Sequence, residues 1–134
     1  MSAHSFPFQS DSPAVALTLL EPELTLAKPA TQRGTYWVDT GFTDYLQIDW
    51  DTFAALNLQY HTVGTITSEL ADGSSVSDLV ALVRVLIPEC NIDTTIRCIS
   101  NPAYGSDLRL VGNQFLQECQ ALIDYPQQQT TLSD

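Results

Sequence analysis

The stretch Tyr36-Trp37-Val38-Asp39-Thr40-Gly41-Phe42-Thr43-Asp44 carries the residues best placed to do chemistry. An apolar run climbs into one Asp, and Thr and Gly follow. Asp is a poor strand residue and Gly breaks a strand, so the run is expected to end in a tight loop bearing one carboxylate. Gly41 lets backbone approach closely, and its N–H can point at the Asp39 carboxylate. Thr40 offers a hydroxyl to a facing loop. The triplet Asp39-Thr40-Gly41 occurs once in the chain. A pair of such carboxylates therefore needs two copies, which would meet about a two-fold axis as in most homodimers. Two facing carboxylates cannot both ionise comfortably. They share one proton and titrate as a unit, with one low and one raised apparent pKa. The ionised oxygen then serves as general base on a water. The protonated one polarises a scissile carbonyl and later helps the amine leave. No metal, cofactor or covalent intermediate is required. The triplet alone is also what an ordinary turn or helix cap looks like.

Composition narrows the setting. The chain has 134 residues, enough for one domain with a modest core. Sixteen acids face five bases, a net charge of -11. Such a chain repels nucleic-acid phosphates and anionic membranes, so neither is expected as a partner. No apolar run approaches the length of a membrane span, and no basic-then-apolar leader opens the chain. The cytoplasm is the expected location. Cys90, Cys98 and Cys119 are odd in number and widely spaced, which fits buried free thiols rather than a disulfide framework or a zinc site. His4 and His61 match no metal motif, and His61 is expected at the surface where a strand begins.

Several elements must position Asp39. Residues 1–14 read as a flexible arm, with Phe6 and Phe8 able to dock. A strand is expected over Ala14–Leu20, broken at Glu21-Pro22-Glu23 and resumed at Leu24–Leu26. Lys28 to Gly34 reads as a turn, and Thr35–Val38 as the strand into Asp39. Tyr45–Ile48 is a short strand. Asp49 caps a helix with a stripe of Trp50, Phe53, Ala54 and Leu56, closed by Asn57. Residues 60–70 alternate as a strand, Asp72-Gly73 makes a hairpin turn, and Val76–Ile87 returns. Strands over 94–99, 108–112 and 121–125 follow. Asn113 is the expected cap of a second helix through Phe115, Leu116 and Cys119. The tail from 126 to 134 reads as disordered. The count is seven or eight strands and two short helices, a mostly β domain. The strand into Asp39-Thr40-Gly41 is echoed by the strand into Leu110-Val111-Gly112.

In that order, these features resemble the retroviral-type (retropepsin-like) aspartic proteases, most nearly their bacterial and cyanobacterial single-domain relatives. The resemblance covers Leu24 to Tyr125. It rests on Val38-Asp39-Thr40-Gly41-Phe42-Thr43, on the helix from Trp50 to Asn57, and on the hairpin tip Leu70-Ala71-Asp72-Gly73-Ser74. It rests also on Leu110-Val111-Gly112 opening a helix and on the closing Leu122-Ile123-Asp124-Tyr125. It implies an all-β retropepsin-like barrel with one or two short helices, spanning 15–125, with a flap hairpin at about 62–87. It implies an obligate homodimer acting as an aspartic endopeptidase on peptide or protein substrates. Asp39 from each copy would form the dyad, Thr40 would lock the two loops, and Gly41 would offer its backbone to substrate. Ala71, Asp72 and Gly73 would cover an extended peptide, and Phe42 and Ile66 would line side-chain pockets.

The chain also departs from the pattern. Asp44 stands where the bacterial relatives carry Gly, and an acid there either binds the peptide backbone or solvates the loop. The flap is poor in Gly. The stretches Leu79–Ile87 and Asn101–Ser106 fit less neatly, and Tyr104-Gly105 reads as ordinary loop in preference to a pocket element. The competing functional reading is a catalytically silent dimeric module of the same fold, used for binding or as a scaffold. A small unrelated β-barrel, monomeric with Asp39 unpaired, is a further alternative.

Overall fold

The computed structural model describes residues 2–22 and 28–134. Their strands are β1 (Ala3–Pro7), β2 (Ala14–Leu20), β3 (Thr31–Val38), β4 (Leu46–Gln47), β5 (Thr62–Glu69) and β6 (Ser75–Ile87). They continue with β7 (Ile92–Ser100), β8 (Leu110–Val111), β9 (Gln120–Asp124) and β10 (Gln129–Ser133). Among the described residues there are two short α-helices, α1 (Trp50–Ala55) and α2 (Asn113–Gln117).

The main sheet runs β2-β3-β8-β4-β7-β6-β5, and β2 also pairs with β6. That last pairing, through Thr18–Leu86, Leu19–Val85 and Leu20–Arg84, closes six strands into a barrel. This is the all-β retropepsin-like barrel that the motifs led us to expect. Period-two alternation fills its interior, with Val15, Leu17 and Leu19 of β2 facing Val83, Val85 and Ile87 of β6. Tyr36, Phe53 and Val111 pack into the same core.

β5 lies outside the closed ring. Among the described residues it pairs with β6 alone, and each of its residues except Ile66 is exposed. The hairpin turn beyond it follows from its residues. Gly73 takes a φ of 85°, and the Asp72 carboxylate accepts from the Ser74 N–H at 2.9 Å.

Both chain ends differ from expectation. The arm over 1–14 contains β1, and the tail over 126–134 contains β10. These two strands pair antiparallel from Ala3–Ser133 to Pro7–Gln129, and β9 completes a three-stranded sheet. Phe6 and Leu132 are buried beneath it. The backbone bonds join residues about 130 positions apart, and burial of two large side chains fixes them. No local pattern announces such a pairing.

Smaller corrections have similar causes. The turn expected from Lys28 to Gly34 gives way at Thr31 to β3, because Thr31–Gly34 pair with Leu17–Leu20 of β2. The resumed strand expected at Leu24–Leu26 lies outside the described residues. Asn113 is the first residue of α2, and Gly112 is its cap, without a side-chain bond. Asp49 does cap α1, accepting from the Thr52 N–H at 3.2 Å. His61 is not a surface residue. It ends a short 3-10 turn (Leu58–His61), and its Nε2 lies 3.0 Å from the buried Glu21 carboxylate.

Candidate active site

β3 carries the chain to Asp39 beside β8. The two run parallel, with Trp37 opposite Leu110 and Val38 opposite Val111. The pairing continues past the strand end, since the Asp39 N–H donates to the Val111 carbonyl at 3.0 Å. The expected echo between the Asp39 and Gly112 turns is thus a physical neighbourhood. The turn after β3 is held by Asp39 itself. Its Oδ1 accepts from the Gly41 N–H at 3.0 Å, and its carbonyl accepts from the Phe42 N–H at 3.1 Å. Thr40 and Gly41 are exposed, so the loop presents an open face.

The second turn locks against the first. The Gly112 N–H donates to the Tyr45 carbonyl at 2.9 Å, and the Asn113 N–H donates to the Phe42 carbonyl at 2.8 Å. A Cβ at Gly112 would collide with the Asp44 carbonyl and lie 2.7 Å from the Phe42 ring. Gly112 is required for space, since its φ of -95° suits any residue.

A cavity of about 430 Å³ opens beside Asp39. Trp37, Val38, Leu110 and Pro13 give it apolar walls, with Ser10 and Ser12 adding hydroxyls. Ser10, Ser12 and Pro13 belong to the N-terminal segment. Gln9 and Ser12 exchange backbone hydrogen bonds at 3.0 and 2.9 Å around Ser10 and Asp11, whose φ values are 48° and 61°. Both central residues are left-handed, as a two-residue hairpin turn demands. The Pro13 carbonyl then accepts from the Val38 N–H at 3.0 Å, which lays the segment along β3. Sequence reasoning missed these residues. Leu110 lay in a block already singled out, whereas nothing near Ser10 signalled its destination.

The other candidate residues occupy two places. Phe42 and Asp44 stay with the Asp39 loop. The Asp44 carboxylate is already engaged, accepting from Arg97 Nη2 at 3.0 Å and from the Tyr45 N–H at 2.8 Å. It braces the loop from β7 and is mostly shielded from water. Ile66, Ala71, Asp72 and Gly73 lie on the hairpin formed by β5, β6 and their turn, and none of them lines the Asp39 cavity. The Ser74 hydrogen bonds hold the exposed Asp72 carboxyl below its usual range.

A second scaffold lies behind the cavity wall. Arg109, the residue before Leu110, donates from Nε to Asp49 Oδ1 at 2.7 Å. Burial alone would raise the Asp49 pKa. The hydrogen bonds from Arg109 and Thr52 outweigh it and hold the carboxyl below its ordinary value. Among the described residues, no group of three or more His, Cys, Asp or Glu is arranged to hold a metal ion. No described helix is long and apolar enough to cross a membrane.

A scan against protein-family models gives no match to this chain. A search of curated proteins gives none either. Among solved structures, EIAV protease complexed with the inhibitor HBY-793 is similar with a TM-score of 0.46 and 14% identity, over 81% of this chain and 88% of that one. So distant a likeness carries no weight for activity, and the fold rests on the strand order and barrel closure described above.

Proposed function

We propose that the chain is an aspartic endopeptidase that works as a homodimer, each copy giving one Asp39 to a shared dyad. The observation that supports this most is the seat of Asp39. Its carboxylate is oriented by the Gly41 N–H, at an exposed loop, on the rim of an apolar-walled cavity. Among the described residues Asp39 is the sole titratable one lining that cavity, so the proposed acid–base pair needs a second copy. In the dimer one Asp39 would take a proton from water and the other would donate to the carbonyl oxygen of the peptide. Thr40 would face its counterpart across the two-fold axis. Phe42, Ile66, Ala71, Asp72 and Gly73 would contact an extended substrate, while Asp44 holds the loop through Arg97.

The test is cleavage of a mixed peptide library between about pH 4 and 7, a range chosen to bracket dyad titration. It is run beside Asp39→Asn and a measurement of size in solution. The expected result is a dimer whose cleavage falls about 100-fold or more in Asp39→Asn. A monomer, or cleavage indifferent to Asp39, refutes the proposal. A well-folded dimer that cleaves nothing favours the silent binding module.

A further inference from the structure

Asp78 sits where β6 leaves the barrel. Toward the chain's C-terminal end, from Leu79–Ser100 to Ile87–Ile92, β6 is paired with β7. Toward the hairpin tip, from Asp78–Ile66 to Ser75–Glu69, it pairs, among the described residues, with β5 alone. Beyond Asp78 the hairpin therefore has a single neighbour, and the outer strand of that pair is exposed almost throughout. A two-stranded ribbon of this kind has little to fix its angle against the barrel.

Asp78 is nevertheless 6% exposed, between an exposed Ser77 and a half-buried Leu79. Both carboxylate oxygens are taken. Asn101 Nδ2 donates to Oδ1 at 2.6 Å, and the Tyr104 hydroxyl donates to Oδ2 at 3.1 Å. Asn101 directly follows the last residue of β7. The side chains therefore extend the β6–β7 tie past the point where backbone pairing stops. The loop is itself braced. Asn101 Oδ1 accepts from the Ala103 N–H at 2.7 Å, and the Tyr104 carbonyl accepts from the Trp50 N–H at 2.9 Å. Trp50 opens α1, whose cap Asp49 holds Arg109, the neighbour of the cavity-lining Leu110. Burial, and next the neighbouring Asp78, push the Tyr104 hydroxyl up to about 12, so it remains a donor.

We propose that Asp78, Asn101 and Tyr104 form a latch that fixes the hairpin against the scaffold bearing the Asp39 cavity wall, with Asp78 as a positioning residue for peptide binding. The positional claim stands on the geometry, and the link to peptide binding rests on the peptidase reading. A latch at the root sets the angle of the whole arm. Losing it frees the hairpin without unfolding the barrel, whose ring closes through β2 and β6 elsewhere.

The test uses Tyr104→Phe, which removes one hydroxyl and keeps the ring, and Asp78→Asn, which keeps the volume. Backbone hydrogen exchange is measured along the full chain. Amides of residues 65–77 are expected to exchange about tenfold faster in either variant, the effect of losing one hydrogen bond to a charged group. Amides inside β2, β3 and β7 are expected to stay unchanged. The two substitutions combined should add little to either alone, because they break one unit. For a cleaved peptide, KM should rise about tenfold with kcat within about twofold. An unchanged hairpin, or equal acceleration over the whole barrel, overturns the latch. A loosened hairpin with unaltered KM overturns the positioning role. If the native protein cleaves nothing, the peptidase reading fails by itself and the exchange measurement still decides the latch.

Discussion

Replacing Gly112 by Ala tests how tightly the two central turns are locked. One methyl group is added, at a backbone angle that Ala tolerates, so strain in φ contributes nothing. The methyl has no room. It would overlap the Asp44 carbonyl, approach the Phe42 carbonyl to 2.8 Å and the Phe42 ring to 2.7 Å. Two of the three obstacles are backbone atoms and cannot rotate aside. Relief requires the start of α2 to back away from residues 42–45. That movement stretches the hydrogen bonds from Gly112 to Tyr45 and from Asn113 to Phe42. Overpacking costs about 1–3 kcal/mol, and each lost hydrogen bond adds about 1 kcal/mol. The expected destabilisation is about 3–5 kcal/mol. At roughly 3–5 °C per kcal/mol for a domain of this size, the midpoint should fall by about 10–25 °C. Thermal and denaturant unfolding measure it, with Gly64→Ala as the control. A Cβ at Gly64 meets nothing within 4 Å, so that change should stay within about 0.5 kcal/mol. A Gly112→Ala protein within 1 kcal/mol of the native one, on the scale of ordinary surface substitutions, would refute the close-packed turn pair.

The Asp49–Arg109 pair predicts a pH dependence. Its carboxyl is held below the ordinary Asp value, so it contributes stability above about pH 4 that fades as pH falls through the lowered folded pKa. Asp49→Asn should flatten that acid limb and lower stability near neutral pH by about 3 kcal/mol, and an unchanged acid limb in denaturant unfolding would contradict this. The thiols predict an order of reaction. Burial pushes Cys98 up to about 12 and Cys119 up to about 11, and it also raises Cys90. Titration with a thiol reagent at pH 8 should label half-buried Cys119 slowly and the buried Cys90 and Cys98 only after denaturation. Prompt labelling of Cys98 in the native state would show that the barrel interior opens.

The sequence made the hairpin legible because its instructions are local. Alternation sets β5 and β6, and Asp72-Gly73 supplies the turn that joins them. The α1 cap was legible for the same reason, since Asp49 acts on a residue three positions away. The parallel seat of Asp39 and Gly112 could be guessed from the repeated strand-to-Gly pattern, but its register could not. Elements set by distant partners were hidden. β1 and β10 depend on each other across nearly the full chain. Gly34 reads as a turn residue, yet it sits inside β3 opposite Leu17, and an added Cβ there would lie 3.0 Å from Arg109 Nη1. Asp44 read as an acid that either binds the peptide backbone or solvates the loop, because the identity of its partner, Arg97, is settled only when β7 packs beside the loop. Asp78 attracted no notice and Tyr104 read as ordinary loop, because a buried carboxylate and a loop tyrosine come together only after the hairpin and β7 are in place.

The placement of charge bears on what Asp39 can do. Sixteen acids compete for five bases. The four arginines are committed elsewhere, Arg33 to Glu89, Arg84 to Asp93, Arg97 to Asp44 and Arg109 to Asp49. Among the described residues lining the Asp39 cavity, none is a cation. A guanidinium at that rim would pin the carboxylate in its ionised form and favour an anionic ligand. The described walls of the cavity are apolar, and the Gly41 N–H contacts the Asp39 carboxylate. On the proposed reading, a second Asp39 brought to that rim would share one proton with the first, and apolar walls would strengthen the sharing.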